Sequence, residues 1–498
     1  MRFPRSWPRR ICLALVFGVG CSFFFITYPP MIDVPQHAAQ VSLLDSMLRG
    51  ESAFAEEYEL NFLTPYLLGY GTWLIASQIL GLHLALSFIL ALAFIGTYAA
   101  FIQLRRRFGA PSTLDPLAVA GFFGFAFEWG MLTFLLSVPV GLLFLAFFLD
   151  FLRDESFKRG LVAALVGALL IASHGLVFAY FFVLAGCFAL EKLRRTRSFP
   201  QKELLFFVPL ALVAILYSLR ADELSPLWAD PRGSYVQGAG FARRAYQLLH
   251  YQLSAFAPKA WHLAAVIALL LSPLLLALRP SKEPARYLPL GFFLVYFFTV
   301  PHDAMDTSLL WQRFSLLFLP SFALIFDARD TLRSSRAAHI ASLALVIGVA
   351  FILLPALGRM RAFDRETEDF RAVLEALPAE KRALALIYDR KSPAAENPAA
   401  YVHFASWYAA EKGGLVDFNF AWFPPQIVRY KKEATPEVRP SFEWRPNRFR
   451  ELKHCDRYDY LIVRGELTHP ARLLRGTSCP HQFALSEGTW TVFERSAR

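Results

Sequence analysis

A short polar motif follows the first apolar stretch of the sequence, and it is the first place where we expect chemistry. The motif D-V-P-Q-H places Asp33 and His37 four residues apart. A carboxylate near an imidazole can take a proton from a substrate hydroxyl, or the two groups can hold a divalent cation. The surrounding segment 30–61 contains six acids and one arginine, so an acidic surface loop is the alternative. The position of Asp33 beside an apolar stretch favours function, whereas for the other five acids we favour the surface loop.

Four further ionisable residues lie between apolar stretches. Glu128 is in the turn F-A-F-E-W-G-M, and His174 is in the turn I-A-S-H-G-L. Ionisable groups at a membrane edge are costly and tend to mark sites, although a solvated turn acid and a hydrogen-bonded histidine at a helix end are open alternatives. His302 and Arg313 belong to H-D-A-M-D-T-S-L-L-W-Q-R-F. The guanidinium can pair with a lipid phosphate or anchor the chain at the interface, and all four residues are predicted to bind substrate or lipid phosphate.

The elements that must position these residues are predicted to be membrane helices. Of the 498 residues, 56% are hydrophobic, 18% are charged and 49 are phenylalanine, whereas a typical soluble domain is about 45–50% apolar and about 25% charged. The net charge of +11 is spread over short clusters between apolar stretches, which fits membrane insertion and not nucleic-acid binding. The predicted spans are 11–29, 83–104, 116–131, 133–151, 160–174, 175–191, 203–219, 260–278, 286–301, 308–326 and 338–357.

The distribution of Lys and Arg predicts the orientation of the chain. One set of connections carries 21 of these residues, and the opposite set carries seven. The positive-inside rule places the richer set, which includes the N-terminus, in the cytoplasm. Eleven spans satisfy this alternation if the apolar segment 62–81 is an interfacial or re-entrant helix. Residues 1–358 are then a transmembrane domain, and its segment 30–61 is an acidic outer loop with interfacial helices.

Residues 359–498 are polar and basic, and we predict that they form a small extracytoplasmic domain of the α/β or α+β class. Helical spacing of apolar residues covers 363–377, and A-L-A-L-I-Y-D, Y-D-Y-L-I-V-R-G and T-W-T-V-F-E-R are typical of short strands. Cys455 and Cys479 are the two cysteines of this domain. An oxidising compartment favours a disulfide between them, with two free thiols as the alternative.

The combination resembles the GT-C superfamily of membrane glycosyltransferases, which includes the protein O-mannosyltransferases and the aminoarabinose transferases. The resemblance depends on the basic N-terminus, the single span before I-D-V-P-Q-H, the P-Y-L-L segment at 65–68 and the R-R-R-F-G that closes a span at 105–109. A late R-F-x-x-x-x-x-P, from Arg313 to Pro320, completes it. Many members have two adjacent acids in the first loop, whereas here Val34 follows Asp33. The D-x-P-x-H form is more similar to GT-C-like membrane proteins of bacteria that have no assigned reaction.

The resemblance implies a membrane glycosyltransferase. Phenylalanine-rich spans without a eukaryotic retention signal favour a bacterial inner membrane as its location. Such an enzyme moves a sugar from a polyprenyl-phosphate carrier to an acceptor on the outer face. Asp33 would be the base or a metal ligand, together with His37 if a divalent cation is bound, and Arg313 would contact the lipid phosphate. The alternative is a non-enzymatic transporter or scaffold for the assembly of lipid-linked envelope polysaccharide. Sequence motifs of P-loop ATPases, serine hydrolases and zinc metalloproteases are absent.

Overall fold

A computed structural model describes residues 7–197, 201–223, 239–256, 259–304, 307–327, 336–466, 473–477 and 479–496. Two compact units share the chain. The helical unit comprises the described residues of Met1–Phe24, Ser87–Arg220 and Ala229–Leu357. The sheet unit comprises those of Phe25–Leu86, Ala221–Trp228 and Gly358–Arg498. The first loop of the sequence therefore belongs to the same unit as the C-terminal segment.

Helices dominate the described part of the chain. The α-helices are α1 (Trp7–Ser22), α2 (Val34–Arg49), α3 (Leu67–Leu80), α4 (Leu82–Phe108), α5 (Leu117–Ala120), α6 (Phe125–Glu128), α7 (Leu132–Asp154), α8 (Phe157–Ser173), α9 (Gly175–Thr196), α10 (Gln201–Glu223), α11 (Phe241–His250), α12 (Ala260–Leu275), α13 (Leu288–Thr299), α14 (Phe318–Ala323), α15 (Arg336–Glu366), α16 (Glu368–Ala376) and α17 (Trp407–Lys412).

Six helices within the described ranges are long and apolar enough to cross a membrane, and the protein is an integral membrane protein. They are Trp7–Phe25, Leu82–Phe108, Leu132–Asp154, Gly175–Thr196, Gln201–Leu219 and Ala337–Ala376. Leu67–Leu80 and Ala260–Leu275 are shorter apolar helices. Since about 20 apolar residues are needed to span the hydrocarbon core, the segment 62–81 contains a helix of 14 residues that is short for a full crossing.

Phenylalanine rings and glycines pack the helical unit. The helix α7 contacts both α8 and α9 and buries most of its side chains. Rings of Phe148 and Phe207 meet edge to face, with centroids 5.0 Å apart. Gly141 lies directly against the ring of Phe181, where a Cβ would clash. Small residues let membrane helices approach closely, and the many phenylalanines fill the remaining space.

Two of the predicted spans are not continuous helices, which corrects the sequence prediction. The segment 116–131 contains α5 and α6, each four residues long. Between them, Gly124 lies against the carbonyl groups of Tyr251 and Gln252, where any side chain would clash. The segment 308–326 contains a 3₁₀-helix, Gln312–Leu317, followed by the six-residue α14. The sequence prediction of single helices used only the length of the apolar segments. That length carries no information about backbone from distant residues that packs against the segment.

The sheet unit is built around a mixed five-stranded sheet. The strands are β1 (Tyr58–Leu60), β2 (Arg279–Pro280), β3 (Phe326–Asp327), β4 (Arg382–Ile387), β5 (Leu415–Asp417), β6 (Val428–Tyr430), β7 (Tyr460–Arg464), β8 (His481–Glu487) and β9 (Trp490–Arg495). The large sheet has the order β5-β4-β7-β9-β8. Its first three strands are parallel, and β9 runs antiparallel to both β7 and β8.

The predicted strands of the C-terminal segment are present, and the mixed sheet with its packed helices is of the α/β type. Strand β7 is buried at every residue, as expected for a central strand that is covered on both faces. The helix α16 packs on β8 and β9, with Phe370 against Trp490 at 4.5 Å between ring centroids. Cys455 and Cys479 form a disulfide with their Cα atoms 5.1 Å apart. The small pair β1–β6 joins the first loop to this unit.

Candidate functional site

Asp33 immediately precedes α2 in the sheet unit, and its carboxylate makes no capping hydrogen bond with that helix. The side chain is 21% exposed, and its Oδ1 lies 3.6 Å from Nε2 of His403. This distance is slightly longer than a hydrogen bond. His403 comes from the C-terminal segment, just before the 3₁₀-helix Phe404–Ser406. The first loop and the C-terminal segment thus supply one acid and one imidazole to the same place.

The proton on His403 can be assigned from the hydrogen bonds of Gln36. The Gln36 side chain accepts from the backbone N–H of Phe420 at 3.1 Å and donates to the carbonyl oxygen of Phe418 at 2.9 Å. These two backbone partners fix which end of the amide is nitrogen. The same nitrogen contacts Nδ1 of His403 at 3.3 Å. Nδ1 is therefore the acceptor, and neutral His403 carries its proton on Nε2, facing Asp33.

His37 is one helical turn from Asp33 and is buried. Its Nδ1 lies 2.7 Å from the hydroxyl oxygen of Tyr70. Tyr70 donates its single hydroxyl hydrogen to Oε1 of Gln426 at 2.5 Å. Because that hydrogen is used, His37 must donate from Nδ1 to Tyr70, and its Nε2 is left as an acceptor.

Burial keeps both imidazoles neutral at physiological pH. It lowers the pKa of His37 to about 4. Burial lowers the pKa of His403 to about 3, and the neighbouring His37 adds to the effect. His403 therefore turns an N–H dipole, and no positive charge, towards the Asp33 carboxylate.

Asp33 and His37 stay the predicted ligands of a divalent cation, if one is bound, and Val34 follows Asp33 in the sequence. Histidine, cysteine and carboxylate side chains are the usual protein ligands of such ions. Among the described residues, three such groups come within 4.8 Å of one another only at Cys455, Cys479 and His481. There the two sulfur atoms are bonded to each other. This cluster is therefore a disulfide with a neighbouring histidine.

Glu128 and His174 belong to the helical unit, where each contacts other parts of the protein. The Glu128 carboxylate accepts from the backbone N–H of Ala255 at 2.7 Å and from the hydroxyl of Ser254 at 3.1 Å. It thereby fixes the segment after α11. His174 is the single residue between α8 and α9. It is buried, and its ring meets Phe134 edge to face with centroids 5.8 Å apart.

His302 and Arg313 also belong to the helical unit, and residues just before Arg313 contact His302. The side chain of Gln312 contacts His302, and the N–H of Leu310 donates to the His302 carbonyl oxygen at 3.1 Å. The Arg313 guanidinium is buried and donates to the carbonyl oxygens of Leu309 at 3.1 Å and Ser308 at 2.5 Å. Such a guanidinium is held inside the protein by backbone carbonyl groups.

The structure therefore brings Asp33 together with His37, and it places the other candidates in the helical unit. The convergence of Asp33 with His174 and Arg313 in one cavity stays a prediction. Sequence reasoning missed His403 and Gln36. Gln36 lies inside the D-V-P-Q-H motif, but its partner His403 is 367 residues away. No local sequence signal identifies such a pair.

Comparisons with known proteins identify the fold. No protein-family model matches the sequence, and no curated protein matches it either. The crystal structure of ArnT from Cupriavidus metallidurans bound to undecaprenyl phosphate is similar over 99% of this chain and 98% of that one, with a TM-score of 0.59 and 12% sequence identity. The apo structure of the same ArnT matches over 98% and 97%, with a TM-score of 0.45 and 12% identity. The predicted GT-C-like fold is confirmed.

Proposed function

We propose that the protein is a membrane glycosyltransferase that takes its sugar from a polyprenyl-phosphate carrier. The observation that carries this proposal is the fold shared with ArnT bound to undecaprenyl phosphate over nearly the whole length of both chains. The acceptor lies on the outer face of the membrane, and its identity and that of the sugar are open. The chain is proposed to cross a bacterial inner membrane about eleven times, with the broken segments 116–131 and 308–326 as two of the crossings. Its N-terminus is then in the cytoplasm and its C-terminal domain is outside.

In this mechanism Asp33 is the general base. Its carboxylate takes the proton from an acceptor hydroxyl while the hydroxyl oxygen attacks the anomeric carbon of the sugar. The bond from that carbon to the phosphate oxygen breaks, and the polyprenyl phosphate leaves with the bonding electrons. An attack from the face opposite the leaving phosphate inverts the anomeric centre. Arg313 is proposed to neutralise the charge that grows on the phosphate, with His174, Glu128 and His302 as further substrate- or lipid-phosphate-binding residues.

His403 is proposed to position the base. Gln36 accepts from Phe420 and donates to Phe418 and to His403, so the imidazole is held with its Nε2–H towards Asp33. His37, with Nε2 as an acceptor, can receive a hydrogen bond from a second hydroxyl of the substrate. Rigid groups of this kind lower the barrier because they need not reorganise during the reaction.

The direct test is Asp33→Asn in the full-length protein, with Asp45→Asn as the matched control. Both acids belong to the first loop, but Asp45 is half-buried and pairs with Arg49 on α2. We expect Asp33→Asn to lower transfer at least about 100-fold, the usual scale for loss of a general base. Mass spectrometry of membrane lipids and surface glycans, from cells with equal amounts of each variant, measures it. Full transfer by Asp33→Asn would remove Asp33 from the mechanism.

The second candidate is a non-enzymatic transporter or scaffold for lipid-linked envelope polysaccharide, and the lack of a second acid next to Asp33, which Val34 follows, favours it. Lipid binding and glycan transfer, measured together, distinguish the two functions. If the protein is a scaffold, the wild-type protein and Asp33→Asn bind undecaprenyl phosphate equally well, and neither changes the glycan composition. An enzyme would also bind the lipid in both forms, but glycan transfer would depend on Asp33.

A further inference from the structure

A polar cavity lies within the helical unit, and none of the candidate site residues named above lines it. Its volume is about 210 Å³. It lies among the beginning of α1, the beginning of α15, the middle of α4 and the segment before α5. Its polar lining includes Arg9, Tyr98, Thr113, Asp115 and His339. In the topology predicted from the basic residues, this is the cytoplasmic end of the unit.

The acid at the inner end of this cavity has unused hydrogen-bonding capacity. Asp115 is 2% exposed, and Nε of Arg105 forms an ion pair with its Oδ1 at 2.5 Å. Of the residues that the structure describes, none donates a hydrogen bond to Asp115 Oδ2, and the buried Thr113 hydroxyl has no partner either. A buried acceptor without a donor costs about 1–3 kcal/mol. Such a cost is relieved when a bound group supplies the missing donor.

Arg9 and His339 lie towards the outside of the same cavity. Arg9 is exposed and His339 is half-buried, whereas Asp115 is buried. Burial raises the pKa of the Asp115 carboxyl to about 6, and the charges of Arg105 and Arg9 oppose that rise. Arg9 is therefore close enough to act on the acid. A ligand that fits this order has a hydrogen-bonding cation at its tip and an anion behind it.

Exposed apolar side chains follow Arg9 on α1 and His339 on α15. Ile11 follows Arg9 on α1, Ile340 follows His339 on α15, and both are exposed. Each helix is long and apolar enough to cross a membrane. From the buried end of the cavity to the surface of the helices, the groups are thus the Asp115 carboxylate, the Arg9 cation and an apolar surface. A phospholipid with a primary amine has the matching order of ammonium, phosphate and acyl chain.

We propose that this cavity binds the headgroup of an amine-bearing phospholipid such as phosphatidylethanolamine. The ammonium donates to Asp115 Oδ2 and to the Thr113 hydroxyl. The phosphate pairs with Arg9, beside His339, and the acyl chains lie along α1 and α15. A trimethylated headgroup of the same charge has no N–H to donate, so the cavity distinguishes phosphatidylethanolamine from phosphatidylcholine.

Native mass spectrometry of the delipidated full-length protein in detergent tests the proposal. The probes are phosphatidylethanolamine, phosphatidylcholine, phosphatidylglycerol and free phosphoethanolamine. We expect phosphatidylethanolamine to bind about tenfold more tightly than phosphatidylcholine, the scale of one hydrogen bond to a charged group. Equal affinity of these two lipids would overturn the proposal. Free phosphoethanolamine binding as tightly as the lipid would overturn the assignment of the acyl chains.

Variants separate the two parts of the headgroup. Asp115→Asn and Thr113→Val are each expected to remove most of the preference for phosphatidylethanolamine, while Arg9→Gln weakens all three phospholipids. The matched control is Asp150→Asn, because Asp150 also pairs with an arginine, Arg107 at 2.7 Å, but does not line the cavity. Thr113→Val leaves the Arg105–Asp115 pair intact and serves if Asp115→Asn fails to fold. An unchanged lipid preference in Thr113→Val and Asp115→Asn would contradict the site.

Discussion

Two buried aspartates, one in each unit, are held in opposite ways. Asp417 at the end of β5 is fully buried, and each of its carboxylate oxygens accepts a tyrosine hydroxyl at 2.8 Å, from Tyr430 and from Tyr458. Asp115 in the helical unit is nearly as buried, but its contact with Arg105 uses one oxygen and leaves the other without a donor among the described residues. Burial is thus the same for both acids, whereas hydrogen bonding is not.

The difference shows why burial alone does not identify a functional acid. A buried carboxylate whose oxygens are both satisfied strengthens the fold and has little capacity left for a ligand. A buried carboxylate beside a cavity, with an oxygen unused, can gain free energy by binding. Asp33 is a third case, because it is partly exposed and lies near a neutral imidazole whose proton faces it. Accessibility to a substrate is what separates Asp33 from the other two acids.

Asp417→Ala tests whether Asp417 stabilises the sheet unit, and it should have the largest effect. The substitution removes the acceptor of two buried tyrosine hydroxyls, and each lost partner costs about 1–3 kcal/mol. We expect the free energy of unfolding of the sheet unit to fall by about 4 kcal/mol. Asp45→Ala, which removes a surface ion pair from the same unit, should cost less than about 1 kcal/mol. Hydrogen exchange read from peptides of β4 and β7 measures both, and equal small effects would contradict the role of Asp417.

Much of the fold could be predicted from the sequence because local patterns determine it. Apolar stretches and clusters of Lys and Arg predicted membrane helices, and buried runs such as Y-L-I-V-R predicted strands. The breaks inside 116–131 could not be predicted, because they depend on the approach of Gly124 to the backbone of Tyr251 and Gln252.

The candidate site shows the same limit. Asp33 and His37 could be found because an acid and an imidazole stand close together in the sequence. His403 could not, because its role depends on Gln36, which is distant in sequence and oriented by the backbone of Phe418 and Phe420. Hydrogen bonds between remote segments leave no periodic pattern in the sequence.

The disulfide is the next test of how the sheet unit is stabilised. Cys455 and Cys479 are 24 residues apart, and closing a loop of this size stabilises a domain by about 3 kcal/mol in the chain-entropy description. We expect the double substitution Cys455→Ser with Cys479→Ser to lower the stability of the unit by that amount. Cys187→Ser, at a free cysteine of α9, is the control, with a cost below about 1 kcal/mol. Unchanged exchange in β7 and β9 of the double variant would show that the bond is dispensable.

Acidification gives the sharpest comparison of the two units, because it should act on them in opposite directions. Burial lowers the pKa of His37 to about 4 and of His403 to about 3. The unfolded chain therefore binds more protons than the sheet unit below pH of about 6.5, and stability falls there as the pH drops. Between pH 7.5 and 5 the loss is about 2 kcal/mol for each histidine.

Asp115 has the opposite sign. Burial raises the pKa of its carboxyl to about 6, above the value of an unfolded chain, so the folded helical unit binds the proton more tightly. Stability is then gained as the pH falls through about 6, by about 1 kcal/mol at pH 5. Hydrogen exchange, corrected for the intrinsic effect of pH, should show faster exchange in β4 and slower exchange in α4. The double variant His37→Gln with His403→Gln should abolish only the change in β4. A shift of both units in the same direction would refute the assignment of these groups.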